Sequence, residues 1–147
     1  MTTVLAAFIP IVGSVIVAAL TYLFAKKKER EAEIRREKLE HDKAFAVSLS
    51  GVLAGESTDE GQISFATASN NLDLIASQEV LQKLQAFQAE IKITNPSPER
   101  GKHDKLMSEL FLAMRKDLNV SPEDDPATFT VGLWAAGVKP AKPWGRS

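Results

Sequence analysis

The two histidines of the chain occur in the same tripeptide, His41-Asp42-Lys43 and His103-Asp104-Lys105. Imidazole and carboxylate groups are metal ligands, but a metal site needs several of them to converge, with supporting residues around them. Both tripeptides lie among polar residues on the surfaces of predicted helices. We therefore expect solvated helix residues here, and the sequence predicts no metal site and no cofactor.

Metal-dependent phosphohydrolases of the HD type use a histidine, a His-Asp pair and a later aspartate. His41, the pair His103-Asp104 and Asp117 occur in that order, but the domain that would hold them is small and their surroundings are polar. The sequence also contains no cysteine, no GxSxG and no GxxxxGKS or GxxxxGKT phosphate loop. It therefore predicts no catalytic residues and not an enzyme, although an enzyme whose site no motif reveals stays an alternative.

The string Met114-Arg-Lys-Asp-Leu118 closes the last predicted helix. Arg115 and Asp117 are two positions apart, so they cannot face each other on one helix and each needs a partner elsewhere. One interpretation is an ordinary helix end, where cations lie near the negative end of the helix dipole. The sharper interpretation makes Arg115 or Asp117 a tie to another helix or a contact with a partner chain.

Charge is distributed unevenly along the 147 residues. Residues 1–25 contain no Asp, Glu, Lys or Arg, whereas residues 26–43 contain eight basic and six acidic residues. The net charge of −1 is therefore a cancellation, and the mildly acidic remainder disfavours nucleic acid as a partner. The absence of cysteine excludes a disulfide-stapled secreted protein and a cysteine zinc site.

The uncharged segment over 4–25 has 22 residues, enough for a helix rising about 1.5 Å per residue to cross a hydrocarbon core of about 30 Å. A cleaved signal peptide is the competing interpretation, but it would begin with positive charge and have a shorter apolar run. The sequence predicts a retained transmembrane helix in the lipid bilayer. Ser14 and Ala18 are small and four apart, which makes them candidate helix–helix contacts.

Positive charge follows the predicted span, and only the α-amino group precedes it. The positive-inside rule therefore predicts a single-pass protein of the plasma (inner) membrane, with the N-terminus outside and the C-terminal domain in the cytoplasm. One aromatic anchor and four basic residues are expected at the cytoplasmic interface: Tyr22, Lys26, Lys27, Lys28 and Arg30.

Good helix formers continue beyond the span, so we predict a charged stalk helix over 26–43 that prolongs it. Gly51 and Gly55 predict the end of this helix. Apolar residues near its end have helical spacing and should join the core of a cytoplasmic domain. The spacing is that of Phe45, Leu49 and Val52, and Val47 and Leu53 lie alongside them.

Apolar spacing predicts a helical bundle domain over 44–119. Besides the end of the stalk helix, it should contain helices at 63–76, at 78–93 and at 102–118. Ser77 is the expected N-cap of the second of these three helices. The predicted fold class is therefore all-α.

The segments between and after these helices are rich in turn-forming residues. Loops are predicted over 56–61 and 95–101, and Asn119 is the expected residue just beyond the last helix. An irregular strap over 120–138 should pack on the bundle. Residues 139–147 should form a disordered tail.

This order of parts resembles a loose group of uncharacterised bacterial and prophage-encoded proteins. The resemblance covers about 4–118 and rests on the span, the charged helix, a segment like Leu72-Asp-Leu-Ile-Ala-Ser-Gln-Glu-Val80 and the 114–118 box. Where those proteins carry Tyr and Phe at the end of the charged helix, this chain has His41 and Phe45. The group has no assigned activity, so the resemblance implies an architecture and carries over no catalytic residue.

These expectations favour a single-pass, membrane-anchored protein whose small helical cytoplasmic domain binds another protein or a second copy of itself. A membrane-perturbing protein of the holin or toxin type is the alternative, because the chain is small and its span contains proline and glycine. The predicted cytoplasmic domain argues against that alternative.

Overall fold

The computed structural model describes residues 2–53, 58–92, 94–97 and 99–132, with side chains in the first helix from Gly13. Regular structure in these ranges is entirely helical, which confirms the all-α class. Residues 133–147, which include the predicted tail, lie outside the described residues. The helices are α1 (Thr2–Leu53), α2 (Asp59–Ile75), α3 (Gln78–Ile91) and α4 (Arg100–Asp117).

The first of two units comprises residues up to Glu37 and contains the N-terminal part of α1. Every side chain described in it is exposed, and its charges pair along the helix, with Lys26 and Glu29 3.0 Å apart. Residues 4–12 of the predicted span lie outside the described side chains. In the part of the chain that the structure describes, no helix has the length and apolar character needed to cross a membrane.

The second unit begins at Lys38, which falls inside the predicted stalk rather than at the predicted domain boundary of 44. Its core is formed by the C-terminal part of α1 together with α2, α3 and α4. Full burial of a large apolar side chain contributes about 1.5–3 kcal/mol. The most deeply buried side chains are Phe45, Leu49, Leu72, Val80, Leu84, Phe87 and Leu110.

Local capping explains where α2 and α3 begin. Thr58 caps α2 by accepting a hydrogen bond at Oγ1 from the Gly61 N–H at 3.1 Å, and two acidic residues follow in the first turn. The prediction of a loop over 56–61 was therefore wrong from Asp59 onward. Ser77 caps α3 as expected, with its Oγ accepting from the Val80 N–H at 3.5 Å.

The end of α4 is fixed by Asn119, which adopts a left-handed φ of 53°. Its N–H donates to the Lys116 carbonyl at 2.9 Å, and the Val120 N–H donates to the Arg115 carbonyl at 3.1 Å. This is the pair of bonds that closes a Schellman motif, and asparagine tolerates the required backbone better than most residues. The expectation for Asn119 is confirmed.

Gly51 was predicted to end α1, but it lies inside this helix, at a close crossing with α2. A Cβ atom added at Gly61 would lie 2.6 Å from the Gly51 carbonyl oxygen. Such a contact is too short for any side chain, so the two glycines permit the helix backbones to approach closely. Gly55 lies outside the described residues.

Val47 points away from the core, which corrects the prediction that it faces inward. Its side chain is 73% exposed, whereas Phe45 and Leu49 are fully buried. At about 100° per residue, position 47 lies well away from positions 45 and 49 around the helix. Phe45 also packs on Phe65 of α2, with ring centroids 5.6 Å apart.

Residues 120–132 run along α4 without regular structure. Asp125 organises a turn by accepting hydrogen bonds at its carbonyl oxygen from the N–H groups of Thr128 and Phe129. The Val131 N–H then donates to Ser108 Oγ at 3.0 Å, and the Val131 side chain packs against the core. This described part of the predicted strap is therefore attached to α4.

Candidate functional site

Three helix segments meet at a polar cluster around Asp117, the last residue of α4. Lys38 Nζ donates to both carboxylate oxygens of Asp117, at 2.8 and 2.9 Å, and the Ser77 N–H donates to Oδ2 at 3.2 Å. The Lys38 and Asp117 side chains are only 19% and 15% exposed. Together with His41 and Asp42, these three residues are called the junction cluster below.

The sequence positions the junction cluster through helix periodicity and capping. Lys38 and Asp42 are four residues apart, so they share one face of α1, and that face continues into buried Phe45 and Leu49. Ser77 contributes its backbone N–H because it begins α3 as the N-cap residue. The junction cluster therefore connects α1, α3 and α4, which also contribute side chains to the core.

Asp42 carries the most perturbed carboxyl group of the described chain. Partial burial and the neighbouring charge of Asp117 raise its pKa to about 6, against weaker lowering by Lys38 and His41. Among the described residues, Asp42 has no hydrogen bond or ion pair, because the Lys38 ammonium is committed to Asp117. A carboxylate that is partly buried and unpaired is costly when ionised.

Arg115 binds the strap through Asp124. Its Nε and Nη2 donate to the two carboxylate oxygens of Asp124, at 2.6 and 3.0 Å, and its guanidinium lies 5.8 Å from the Phe129 ring centroid. These charge-assisted bonds lower the pKa of Asp124 and raise that of Arg115. Arg115 and Asp117, both predicted to need distant partners, thus have partners within the chain.

Glu90 organises the connection between α3 and α4, a role that no pattern in the sequence indicated. Its side chain is 3% exposed, accepts from the Glu99 N–H at 2.8 Å and pairs with Lys102 Nζ at 2.7 Å. Asn95 Nδ2 donates to the Glu90 carbonyl oxygen at 2.8 Å. The Glu99 N–H and the Lys102 ammonium lower the pKa of the Glu90 carboxyl.

The two histidines lie in different surroundings. His103 Nδ1 is 2.9 Å from Asp104 Oδ1, and its ring packs against Phe87 with centroids 5.4 Å apart, so it is less solvated than predicted. His41 belongs to the junction cluster. Among the described residues, no three His, Asp or Glu side chains lie close enough together to hold a metal ion.

A groove of about 540 Å³ lies between α3, α4 and the strap. Six of the seven charged residues on its walls bond in pairs: Lys83 with Glu109 at 2.7 Å, Lys116 with Glu79 at 2.8 Å and Arg115 with Asp124 at 2.6 Å. Its lining therefore consists largely of side chains that already neutralise one another.

The predicted membrane residues are exposed on the first unit. These residues follow one another along α1, and the structure brings none of them to the junction cluster. They are Ser14, Ala18 and the interface group of Tyr22, Lys26, Lys27, Lys28 and Arg30. Comparison of the chain with protein families, with curated proteins and with solved structures gave no match.

Proposed function

We propose that this chain is a single-pass membrane protein whose cytoplasmic helical domain binds another protein or a second copy of itself. The observation that carries the proposal is the exposed apolar surface of α1 before Lys26. Six large apolar side chains there are exposed to at least 48%: Val15, Ile16, Val17, Leu20, Leu23 and Phe24.

These apolar side chains occupy every side of α1 rather than one stripe. At about 100° per residue, positions 15, 16 and 17 alone are spread over more than half of the helix circumference. A helix that is apolar all round belongs in a protein core or in a bilayer. The predicted span covers 22 residues from Val4, and this length supports the bilayer.

The basic group after the span supports the proposed orientation. Lys26, Lys27, Lys28 and Arg30 are exposed and follow the apolar surface directly. Basic residues near the end of a span are retained on the cytoplasmic side and are attracted to anionic lipid. The domain from Lys38 onward would then lie in the cytoplasm.

Protein binding is supported by apolar side chains that the domain leaves exposed. Ile63 and Leu74 are 66% and 88% exposed on the face of α2 that points away from the core. Exposed apolar groups on a helix face are suited to contact with a partner helix. Glu90, Arg115 and Asp117 are bound within the chain, which supports structural rather than catalytic roles for them.

Membrane insertion can be tested by fractionating bacteria that produce the full chain. The double variant Ile16→Lys/Leu20→Lys places two charges in the span, and Ile34→Lys/Leu39→Lys places the same charges on the stalk as a matched control. Wild type and control should stay in the membrane after an alkaline wash, and the span variant should not. Wild-type protein in the wash would contradict the proposal.

Partner binding can be tested in the same membranes with a photo-reactive amino acid at position 74 and, as a control, at exposed position 85. The proposal predicts a cross-linked band from position 74 only, whether to a second copy or to another protein. No adduct from position 74 would count against a binding face on α2. Collapse of the membrane potential on production of wild type would favour the holin-like alternative.

A further inference from the structure

We propose that the junction cluster is a pH-sensitive latch, in which protonation of Asp42 tightens the contact of α1 with α4 and ionisation of Asp42 loosens it. This inference goes beyond the proposed function, because it concerns the domain from Lys38 onward whether or not that domain binds a partner. It rests on the number and placement of the charges that meet at Asp117.

One ammonium group faces two carboxyl groups in the cluster. Both hydrogen bonds of Lys38 Nζ go to Asp117, and within the described residues none joins Lys38 to Asp42. With Asp42 ionised, two carboxylates share one lysine ammonium group in a partly buried position. Protonation of Asp42 makes the charges of Lys38 and Asp117 balance.

Each helix packed at the cluster supplies named groups. The α1 helix contributes Lys38, His41 and Asp42, α4 contributes Asp117, and α3 contributes the N–H of its N-cap residue. The next charged residues along α3 and α4, Glu79 and Lys116, are bound to each other at 2.8 Å. Lys116 is therefore not available to balance the charge of Asp42.

The direction of the pH effect follows from linkage. The pKa of Asp42 is raised from 3.8 to about 6 in the folded chain, so the folded state binds the proton more tightly than the unfolded state. Stability is then greatest below the unfolded pKa and is lost as the pH rises through about 6. The latch is closed in mild acid and loosened at neutral pH.

The first test is thermal unfolding of the full chain in detergent at about pH 5 and about pH 7.5, on either side of the folded pKa. Asp42→Asn removes the charge and should therefore raise the unfolding temperature at the higher pH. Most of the difference in unfolding temperature between the two pH values should then vanish. Asp73→Asn, on the exposed surface of α2, is the matched control and should behave as wild type.

The second test measures opening directly through a thiol introduced by Ser48→Cys. Ser48 is buried beside Phe45 and Leu49, and the chain contains no other thiol. At about pH 7.5 the thiol should react about ten-fold more slowly when Asp42→Asn is also present, allowing for the partial exposure of Asp42. At about pH 5 the difference between the two rates should be smaller, because Asp42 is then largely protonated in the folded chain.

Comparing the two chains at one pH cancels the intrinsic pH dependence of thiol reactivity. Equal labelling rates at the higher pH would overturn the latch. A pH dependence of unfolding that survives in Asp42→Asn would also overturn it, since a group other than Asp42 would then be responsible. A lower unfolding temperature of Asp42→Asn at neutral pH would show that the ionised carboxylate stabilises the fold.

Discussion

Lys38 and Asp117 are 79 positions apart and are joined by two hydrogen bonds of 2.8 and 2.9 Å. The pair connects the C-terminal part of the first helix to the end of the last helix. Because Asp117 also accepts the Ser77 N–H, the same carboxylate fixes the start of α3. One side chain thus sets the relative positions of three helix segments.

Lys38→Ala should lower the free energy of unfolding by about 1–3 kcal/mol, because it leaves Asp42 and Asp117 together without a cation. Lys43→Ala is the matched control: it removes an exposed partner of Glu40 and should change stability by less than about 0.5 kcal/mol. Denaturant unfolding of the full chain in detergent measures both. Equal changes in the free energy of unfolding would show that the Lys38–Asp117 pair stabilises the fold no more than an exposed ion pair does.

Gly61→Ala should destabilise the chain by about 1–3 kcal/mol, because the new methyl group has no room at the crossing of α1 and α2. A Cβ at this position would be 2.6 Å from the Gly51 carbonyl oxygen. Gly101→Ala, where nothing lies within 4 Å, should instead be neutral or raise stability by up to about 1 kcal/mol. If the Gly61→Ala and Gly101→Ala variants were equally stable, the close approach of α1 and α2 at Gly61 would be refuted.

Leu49→Ala should cost about 2–5 kcal/mol of stability, since its side chain is completely buried in the core. Val47→Ala, two residues earlier on the exposed side of α1, should change stability by no more than about 0.5 kcal/mol. Thermal unfolding of both variants determines which face of α1 enters the core. The reverse order would mean that the helix is rotated.

Glu90→Gln should lower the free energy of unfolding at neutral pH. It should also make the free energy of unfolding fall less steeply as the pH is lowered into the acid range. The pKa of Glu90 is lowered in the folded chain, so its contribution is present above the ordinary pKa of 4.5 and is lost as the pH falls below it. Exposed Glu123→Gln is the control. If acid unfolding of the Glu90 variant matched wild type, the tie to Glu99 and Lys102 would be unimportant.

Arg115→Lys should release the strap while keeping the positive charge. Lysine cannot form the two parallel bonds that Arg115 makes with Asp124, and it loses the planar contact with Phe129. Amide hydrogen exchange at Val131, whose N–H is bonded to Ser108, should become faster than in wild type. Unchanged exchange there would mean that Ser108 and the apolar contacts hold the strap without Arg115.

Local patterns in the sequence predicted the helices well, because spacing and caps are local properties. The buried positions Val80, Leu84 and Phe87 follow the helical period, and Ser77 and Asn119 were found from their capping chemistry. Val47 does not share the helical spacing of Phe45 and Leu49, and the prediction that it joins the core was wrong because it rested on apolar character alone.

Contacts between distant positions could not be predicted in this way. Nothing near Lys38 in the sequence indicates Asp117, and only the fold pairs Gly51 with Gly61. For the same reason Asp42, within a polar tripeptide, was expected to be solvated, although burial and Asp117 raise its pKa. The sequence pattern indicated that Asp117 needs a distant partner, but it could not indicate which lysine that partner is.

The proposed membrane topology is tested most directly by labelling single thiols in bacterial cells with a membrane-impermeant maleimide. The chain contains no cysteine, so Thr3→Cys before the span and Ser97→Cys in the domain each introduce one thiol. The thiol at position 3 should be labelled in intact spheroplasts, and the thiol at position 97 only after the membrane is permeabilised. Labelling at position 97 in intact spheroplasts would contradict the account.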